Sequence, residues 1–469
     1  MENSFREKLG NGRLSCMKKR DDGLSAGQLA KLRRILHRPI LTSNDEEYSS
    51  VRRIWNGMFD RNPSVIARPT SIAEVMQLVV FAREEGLVTT VRGGGHSVAG
   101  KSVADGAMMI DLSLMREVQI DPSRRTTLVQ GGTTWSAFDR ESERFGLATT
   151  GGVISSTGVC GLTLGGGLGW LMGKHGLSCD NVVSADLVNA AGNHLTVSAT
   201  ENEDLFWAIR GGGGNFGIVT ALEFRLHDLS RVHGGVLLYP RPLAVDLLRQ
   251  YRDLTQRAPD ELTAYAALLV GHGHAMAAVA LCHSGDGGAA ACGQFHLSTP
   301  PAADMTGEKK YTEIQTMLDF TAPAGAHYYF KCRFLRELSD EAIRAIVDYS
   351  EAMPTEQTQV IIEHMHGAAS RVEAAQTAFG LRRVHYSVNI IPSWTDPAMT
   401  EKCIAWAQGF GSLLTGFGAT DAYVNYLGEE GTPAVKASYG ANYAQLAALK
   451  RKYDPDNFFR FNQNIVPAD

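Results

Sequence analysis

Twenty-four of the chain's 49 glycines stand between Gly93 and Gly217, a stretch of 125 residues in a chain of 469. Having no Cβ, glycine lets backbone N–H groups turn inward around an anion, or lets one backbone lie directly against another. The excess gathers in three loops, Arg92–His96, Gly151–Gly169 and Gly211–Gly217. A fold for this chain has to bring those loops onto a phosphate-bearing ligand or onto other backbone.

Two phosphate-binding patterns fail on context. Gly212, Gly214 and Gly217 match G-x-G-x-x-G, but that fingerprint needs a strand before it and a helix after it. Here Glu203–Ile209 reads as a helix and Ile218–Leu226 as a strand, the reverse order. Gly173-Lys174 is followed by His175, where a P-loop needs Ser or Thr. The alternative is a dinucleotide held by several glycine loops from different strands.

The surrounding pattern is mixed. Ser25–Leu36 places Leu29, Leu32, Ile35 and Leu36 on one helical face behind an N-cap at Ser25. Val65–Ala67 reads as a strand and Val88–Val91 as the next. Between them Ile72–Glu85 is a helix that buries Ile72, Val75, Met76, Val79, Val80 and Ala82 and is closed by Gly86. Strands at Met108–Asp111, Glu117–Ile120 and Thr126–Gln130 follow, then a helix at Ser136–Phe145 and a hairpin of Val182–Asn189 with His194–Val197. From about residue 228 to about 420 the glycine content is ordinary, with strands Gly235–Tyr239, Val360–His366 and His385–Ile391 and helices Asp340–Tyr349 and Pro397–Leu413. A final helix, Ala441–Lys452, precedes an irregular aromatic tail, Tyr453–Pro467. This mixture predicts an α+β fold with packed sheets.

Composition removes several classes of function. Lys+Arg 45 against Asp+Glu 50, with no basic stripe carrying aromatics, argues against nucleic acid. Apolar runs such as Val75–Ala82 fall well short of the roughly 20 residues that a membrane span needs. Met1 to Arg34 carries both signs of charge and no apolar core of signal-peptide length. The seven cysteines are odd in number, scattered and never spaced C-x-x-C, which favours reduced thiols. A soluble, cytoplasmic protein is expected. The pairs His272/His274 and His364/His366 have no cysteine or carboxylate at ligand spacing, so no metal is expected.

Four motifs occur in order: Val91–Gly100 (VRGGGHSVAG), Gly161–Asn181 (GLTLGGGLGWLMGKHGLSCDN), Asp204–Gly217 (DLFWAIRGGGGNFG) and Tyr453–Ile465 (YDPDNFFRFNQNI). With them the chain resembles the berberine-bridge-enzyme-like FAD-linked oxidases of the vanillyl-alcohol-oxidase, or PCMH-type, superfamily, from about Trp55 to Pro467. The resemblance implies a two-subdomain PCMH-type FAD-binding domain at 58–230, with residues 1–57 as a helical segment packed on it. It further implies an α+β substrate domain with an antiparallel sheet at 231–420, and a C-terminal segment at 421–469 that returns to complete the active site and the FAD domain.

The same resemblance implies covalent FAD. His96 maps to the histidine bonded to the 8α-methyl of the flavin, and a neutral imidazole nitrogen is a competent nucleophile toward the electrophilic tautomer of that methyl. Members with a second bond use a cysteine at the place Ile154 fills here. Cys160, five residues before Gly165, stands where singly attached members have it and reads as a packed thiol. Arg92, Gly93, Gly94, Gly95, Ser97, Gly158, Gly161, Asn215, Ile218 or Val219, Asn462 and Asn464 carry over as cofactor contacts. Gly165–Gly167 serve either the cofactor or close backbone packing.

Ala422–Gly428 is similar to the family's N-Y element, which maps the tyrosine at the flavin's substrate face to Tyr426. A free phenol, with a pKa near about 10, acts as a base only if its phenolate is stabilised or its proton leaves with the hydride. The other reading is a strand tyrosine packed with its hydroxyl satisfied. Tyr423 is expected on the opposite strand face. Glu363 shares a face of Val360–His366 with Ile361 and Met365 and is the second acid/base or substrate-binding candidate. The implied activity is oxidation of a C–H next to a hydroxyl or amine in a small, secondary-metabolite-like substrate, with O2 reduced to H2O2, by a monomer or homodimer. Alternatives are flavin-dependent oxygenation or rearrangement of a polyketide-like or aromatic substrate, and a flavin-bearing binding protein without turnover.

Overall fold

The computed structural model describes residues 23–229, 231–271, 273–419 and 423–469. Cys16, His272 and Ala422 lie outside the described residues. Val65–Ala67 and Thr89–Arg92 both pair in parallel with Met108–Asp111, which lies between them. The connection from the first to the second is the helix Ile72–Glu84, capped by the Ser71 hydroxyl, with Gly86 turning the chain beyond it at a φ of +64°.

The buried arc of this helix is wider than the sequence pattern suggests. Leu78 and Phe81 are buried while Val80, expected inside, is 39% exposed, and Ile72 and Met76 are only partly covered. The cause is the helix Ala26–Ile35, held by the predicted cap at Ser25. Its Gln28 and Lys31 side chains bond Glu85, so it lies along the 78–81–85 side.

Five antiparallel strands form a second sheet in the order Val118–Asp121, Thr126–Gln130, Ile218–Arg225, Val182–Val188, His194–Ser198. The third sheet has eight strands. Its main path runs Ala303–Asp304, Arg231–Pro240, His274–His283, Leu262–Gly271, Gln359–Met365, His385–Ile391, Lys331–Leu335, with Gly307–Lys310 also on Arg231–Pro240, all antiparallel. Two-residue alternation divides its faces. Along Leu262–Gly271, Ala264, Ala266 and Leu268 join the core under the helices Ala244–Thr255, Asp340–Ser350 and Thr400–Thr415, while Tyr265, Ala267 and Leu269 face a cavity.

The chain's end returns to the first half. The helix Tyr443–Tyr453 packs on Glu203–Ile209. Its fully buried Lys450 donates to the Asn215 and Phe459 carbonyls and to the Asp454 carboxylate at 2.7, 2.8 and 2.7 Å. The Ile465 N–H donates to Asn215 Oδ1 at 2.9 Å. The third glycine loop is thereby stitched to the tail.

Candidate active site

A cavity of about 1040 Å³ opens between the glycine loops and the inner face of the eight-stranded sheet. Gly93, Gly94, Gly95, His96 and Ser97 line it from the first loop, and Gly158 and Gly161 from the second. Asn215, Ile218 and Val219 line it from the third, and Asn462 from the tail. Arg92 and Asn464 do not reach the lining. Arg92 turns away to a bidentate pair with the buried Asp111, at 2.9 and 2.6 Å, and to the Val51 and Arg53 carbonyls, so it braces the loop from behind.

His96 stacks on Trp55, with ring centroids 4.9 Å apart. Its Nε2 is 2.8 Å from Ser156 Oγ and its Nδ1 3.4 Å from Thr157 Oγ1. Burial pulls the imidazole down to about 4, so it is neutral at pH 7 with a lone pair available. Cys160 also lines the cavity, but burial pushes its thiol up to about 12, which leaves it protonated and a poor nucleophile.

At the sheet end, Tyr426 O–H donates to Glu363 Oε1 at 3.1 Å, and Asn389 Nδ2 donates to Glu363 Oε2 at 2.8 Å. The Ser387 hydroxyl in turn donates to Asn389 Oδ1 at 3.3 Å. Burial lifts the Glu363 carboxyl to about 7, against the hydrogen bonds from Asn389 and Tyr426. Burial, then the neighbouring Glu363, drive the Tyr426 phenol well above its ordinary value. Phe330 stacks on Tyr426 at 5.9 Å.

Tyr423 and Tyr426 do not occupy a strand. Val424–Tyr426 is a single 3₁₀ turn, and the two rings meet edge to face at 4.9 Å, which corrects their expected separation onto two strand faces. Tyr423 OH accepts from Gly167 N–H at 2.7 Å and from Asn425 Nδ2 at 2.6 Å. Gly165–Gly167 prove to be close packing. A Cβ on Gly165 would stand 2.0 Å from Asn425 Oδ1, one on Gly166 2.7 Å from the Phe379 ring, and one on Gly167 2.3 Å from Ser178 Oγ. None of the three lines the cavity.

Sequence reading missed Asn389 and Ser387. A polar i, i+2 pair inside the otherwise apolar strand end Ser387–Ile391 was the available signal. Trp55 and Ser156 had none, because their link to His96 spans separate elements. His364 and His366 stack on each other at 5.3 Å on the side of the strand away from Glu363, and among the described residues no three His, Cys, Asp or Glu side chains gather into a metal-holding group.

The chain matches the family described as FAD binding domain over residues 63–198 and that described as berberine and berberine like over residues 422–466. An FAD-linked oxidoreductase of Dictyostelium discoideum is 31% identical over 439 residues, covering 91% of this chain and 94% of that protein. The crystal structure of 6-hydroxy-D-nicotine oxidase from Arthrobacter nicotinovorans has a TM-score of 0.84 at 28% identity, over 92% of this chain and 98% of that one. Physcomitrella patens BBE-like 1 shares the fold with a TM-score of 0.85 at 23% identity, over 94% and 99%. The fold is thus that of the PCMH-type FAD oxidases. The chain belongs to the berberine-bridge-enzyme-like family and is an FAD-linked oxidoreductase.

The residues present fit FAD. Among the described residues no backbone carbonyl accepts from the N–H groups of 94–98. A Cβ at Gly161 or Gly214 would meet no protein atom within 4 Å, and Asn462 Oδ1 is buried with no partner. Open backbone and unclaimed polar atoms along one side of the cavity are what a long dinucleotide requires. No helix of the described residues is long and apolar enough to cross a membrane.

Proposed function

We propose that this oxidoreductase is an oxidase that takes hydride from a C–H beside a hydroxyl or amine of a small organic substrate. When bound, FAD supplies the hydride acceptor, and dioxygen regenerates it with release of hydrogen peroxide. The observation that carries the reading is the hydrogen bond from Tyr426 to Glu363 inside the cavity. A high phenol pKa makes Tyr426 alone a poor base. With its proton already aimed at an ionised carboxylate, the phenol oxygen can take the substrate O–H or N–H proton while its own proton moves to Glu363 Oε1. Asn389 steadies the second carboxylate oxygen, and Phe330 and Tyr423 hold the phenol ring in place.

The flavin is attached through His96 alone. The neutral, stacked imidazole supports this, as does the protonated state of Cys160. Gly93–Gly95, Ser97, Gly158, Gly161, Asn215, Ile218, Val219 and Asn462 hold the cofactor, while Arg92 supports the first loop. The six described cysteines are unpaired, which fits a reducing, cytoplasmic setting.

Replacing Tyr426 by Phe should slow anaerobic flavin reduction by about 100-fold or more with the flavin spectrum retained; an unchanged reduction rate removes Tyr426 from the chemistry. After acid precipitation the yellow colour should stay with the protein. Mass spectrometry of a tryptic digest should place the flavin on the peptide containing His96, and a flavin on the Cys160 peptide overturns the single attachment.

A further inference from the structure

We infer that the substrate is a flat, largely apolar molecule of at least two fused rings, and that Ala267, Ala278 and Ala280 set its size. The inference rests on the oxidase reading only for which end of the molecule reacts. In the sheet register, Ala280 lies opposite Val236 on one side and Tyr265 on the other. Ala278 lies opposite Leu238 and Ala267, and Ala267 opposite Ile361. All of these line the cavity.

Adjacent strands stand about 4.8 Å apart, so three alanines at neighbouring positions make a shallow trough in the sheet surface. Val236 and Leu238 wall one side, and Tyr265 and Ile361 the other. Tyr265 is the register partner of Glu363, so the trough begins beside the Tyr426–Glu363 pair. The cavity wall also includes Met305, 48% exposed, and Phe320, 78% exposed, which give it an apolar edge at the surface.

On this inner face two amide side chains are already committed, while the buried Tyr265 hydroxyl stands without a partner. Asn389 is used by Glu363 and Ser387, and Gln359 donates to the Thr321 carbonyl. Lys309 and Glu313 lie between the exposed Met305 and Phe320 in sequence, and the Glu313 carboxylate caps the Lys310 N–H. A sugar, carrying hydroxyls on most ring carbons, would bury donors and acceptors without partners in the trough. A fused aromatic or alicyclic ring system would instead bury its face against alanine methyls and aliphatic walls.

The test uses Tyr426→Phe holoenzyme, so that binding is separated from turnover, and calorimetric titration with 1-tetralol, benzyl alcohol and cellobiose. 1-Tetralol should bind about tenfold or more tightly than cellobiose. Adding Ala278→Leu should weaken 1-tetralol by about tenfold or more and by a larger factor than benzyl alcohol, because the leucine fills the floor under the second ring. Ala278→Val serves as the milder replacement should the leucine disturb folding, and an unchanged flavin spectrum reports an intact site. Cellobiose binding as tightly as 1-tetralol, no 1-tetralol binding, or 1-tetralol affinity indifferent to both substitutions overturns the inference. Turnover with native enzyme keeps the two ideas apart. 1-Tetralol that binds in the trough but yields no peroxide supports this inference and sinks the oxidase reading, whereas peroxide from cellobiose without 1-tetralol binding does the reverse.

Discussion

Glu363 is 4% exposed, and its carboxyl is raised by burial to about 7. In the proposed relay only the ionised form can accept the Tyr426 proton. The neutral acid accumulates as pH falls below about 7, so the active fraction grows as pH rises through that value. The rate of flavin reduction should therefore climb across pH about 6 to about 8 and then level off. Glu363→Gln keeps the shape of the side chain but not its proton affinity. It should slow reduction by about tenfold to 100-fold and flatten that limb, which stopped-flow reduction across the pH range would show; a persisting limb assigns the titration to another group. Tyr426 and Glu363 were each legible in the sequence, one from a motif and one from strand alternation. Their contact joins residues 63 positions apart and was not legible.

The Gly165–Gly167 run shows what an element can hide. Three glycines in a row read equally as an anion nest or as packed backbone, since both need the missing Cβ. Gly166 and Gly167 have φ values of +125° and +87°, and the Gly167 N–H ends on Tyr423 OH. A methyl at Gly167 would combine an unfavourable φ with a clash against Ser178, so Gly167→Ala should cost about 2–4 kcal/mol. Urea unfolding would measure the cost. The same change should slow flavin reduction through displacement of Tyr423 against Tyr426. A neutral effect on stability would mean that the loop adapts. The tyrosine turn was misread for a related reason: V-N-Y between apolar residues has the pattern of a strand, whereas the 3₁₀ turn closed by Tyr426 N–H on the Tyr423 carbonyl has its Tyr423 and Asn425 side chains anchored on the Gly167 N–H and the Leu162 carbonyl, far off in the chain.

Across the molecule, Lys450 ties the tail to the glycine-loop side of the cavity. Its ammonium is pulled down in pKa by burial and held by Asp454 and two carbonyls. Lys450→Met would leave Asp454 buried without its cation and the Asn215 carbonyl without its donor. A loss of about 3–5 kcal/mol is expected, read by denaturant unfolding of the holoenzyme. A loss under about 1 kcal/mol, typical of exposed pairs, would show the tail to be held by packing alone.

Local chemistry determined much by itself. The glycine loops, the capped helix at Ser25, the strand–helix–strand unit around Ile72–Glu84, the hairpin Val182–Ser198 and the separation of the Gly212–Gly217 motif from a Rossmann turn all follow from neighbours within a few residues. The tertiary structure decided which glycines face open space and which face Asn425, Phe379 and Ser178. It also decided that Arg92 points away from the cavity, that Val80 is exposed while Phe81 is not, and that Tyr426 meets Glu363 over a floor of alanines. Those outcomes depend on strand register and on which element covers which face, and they are set by packing between residues far apart in the chain, where periodicity and spacing carry no information.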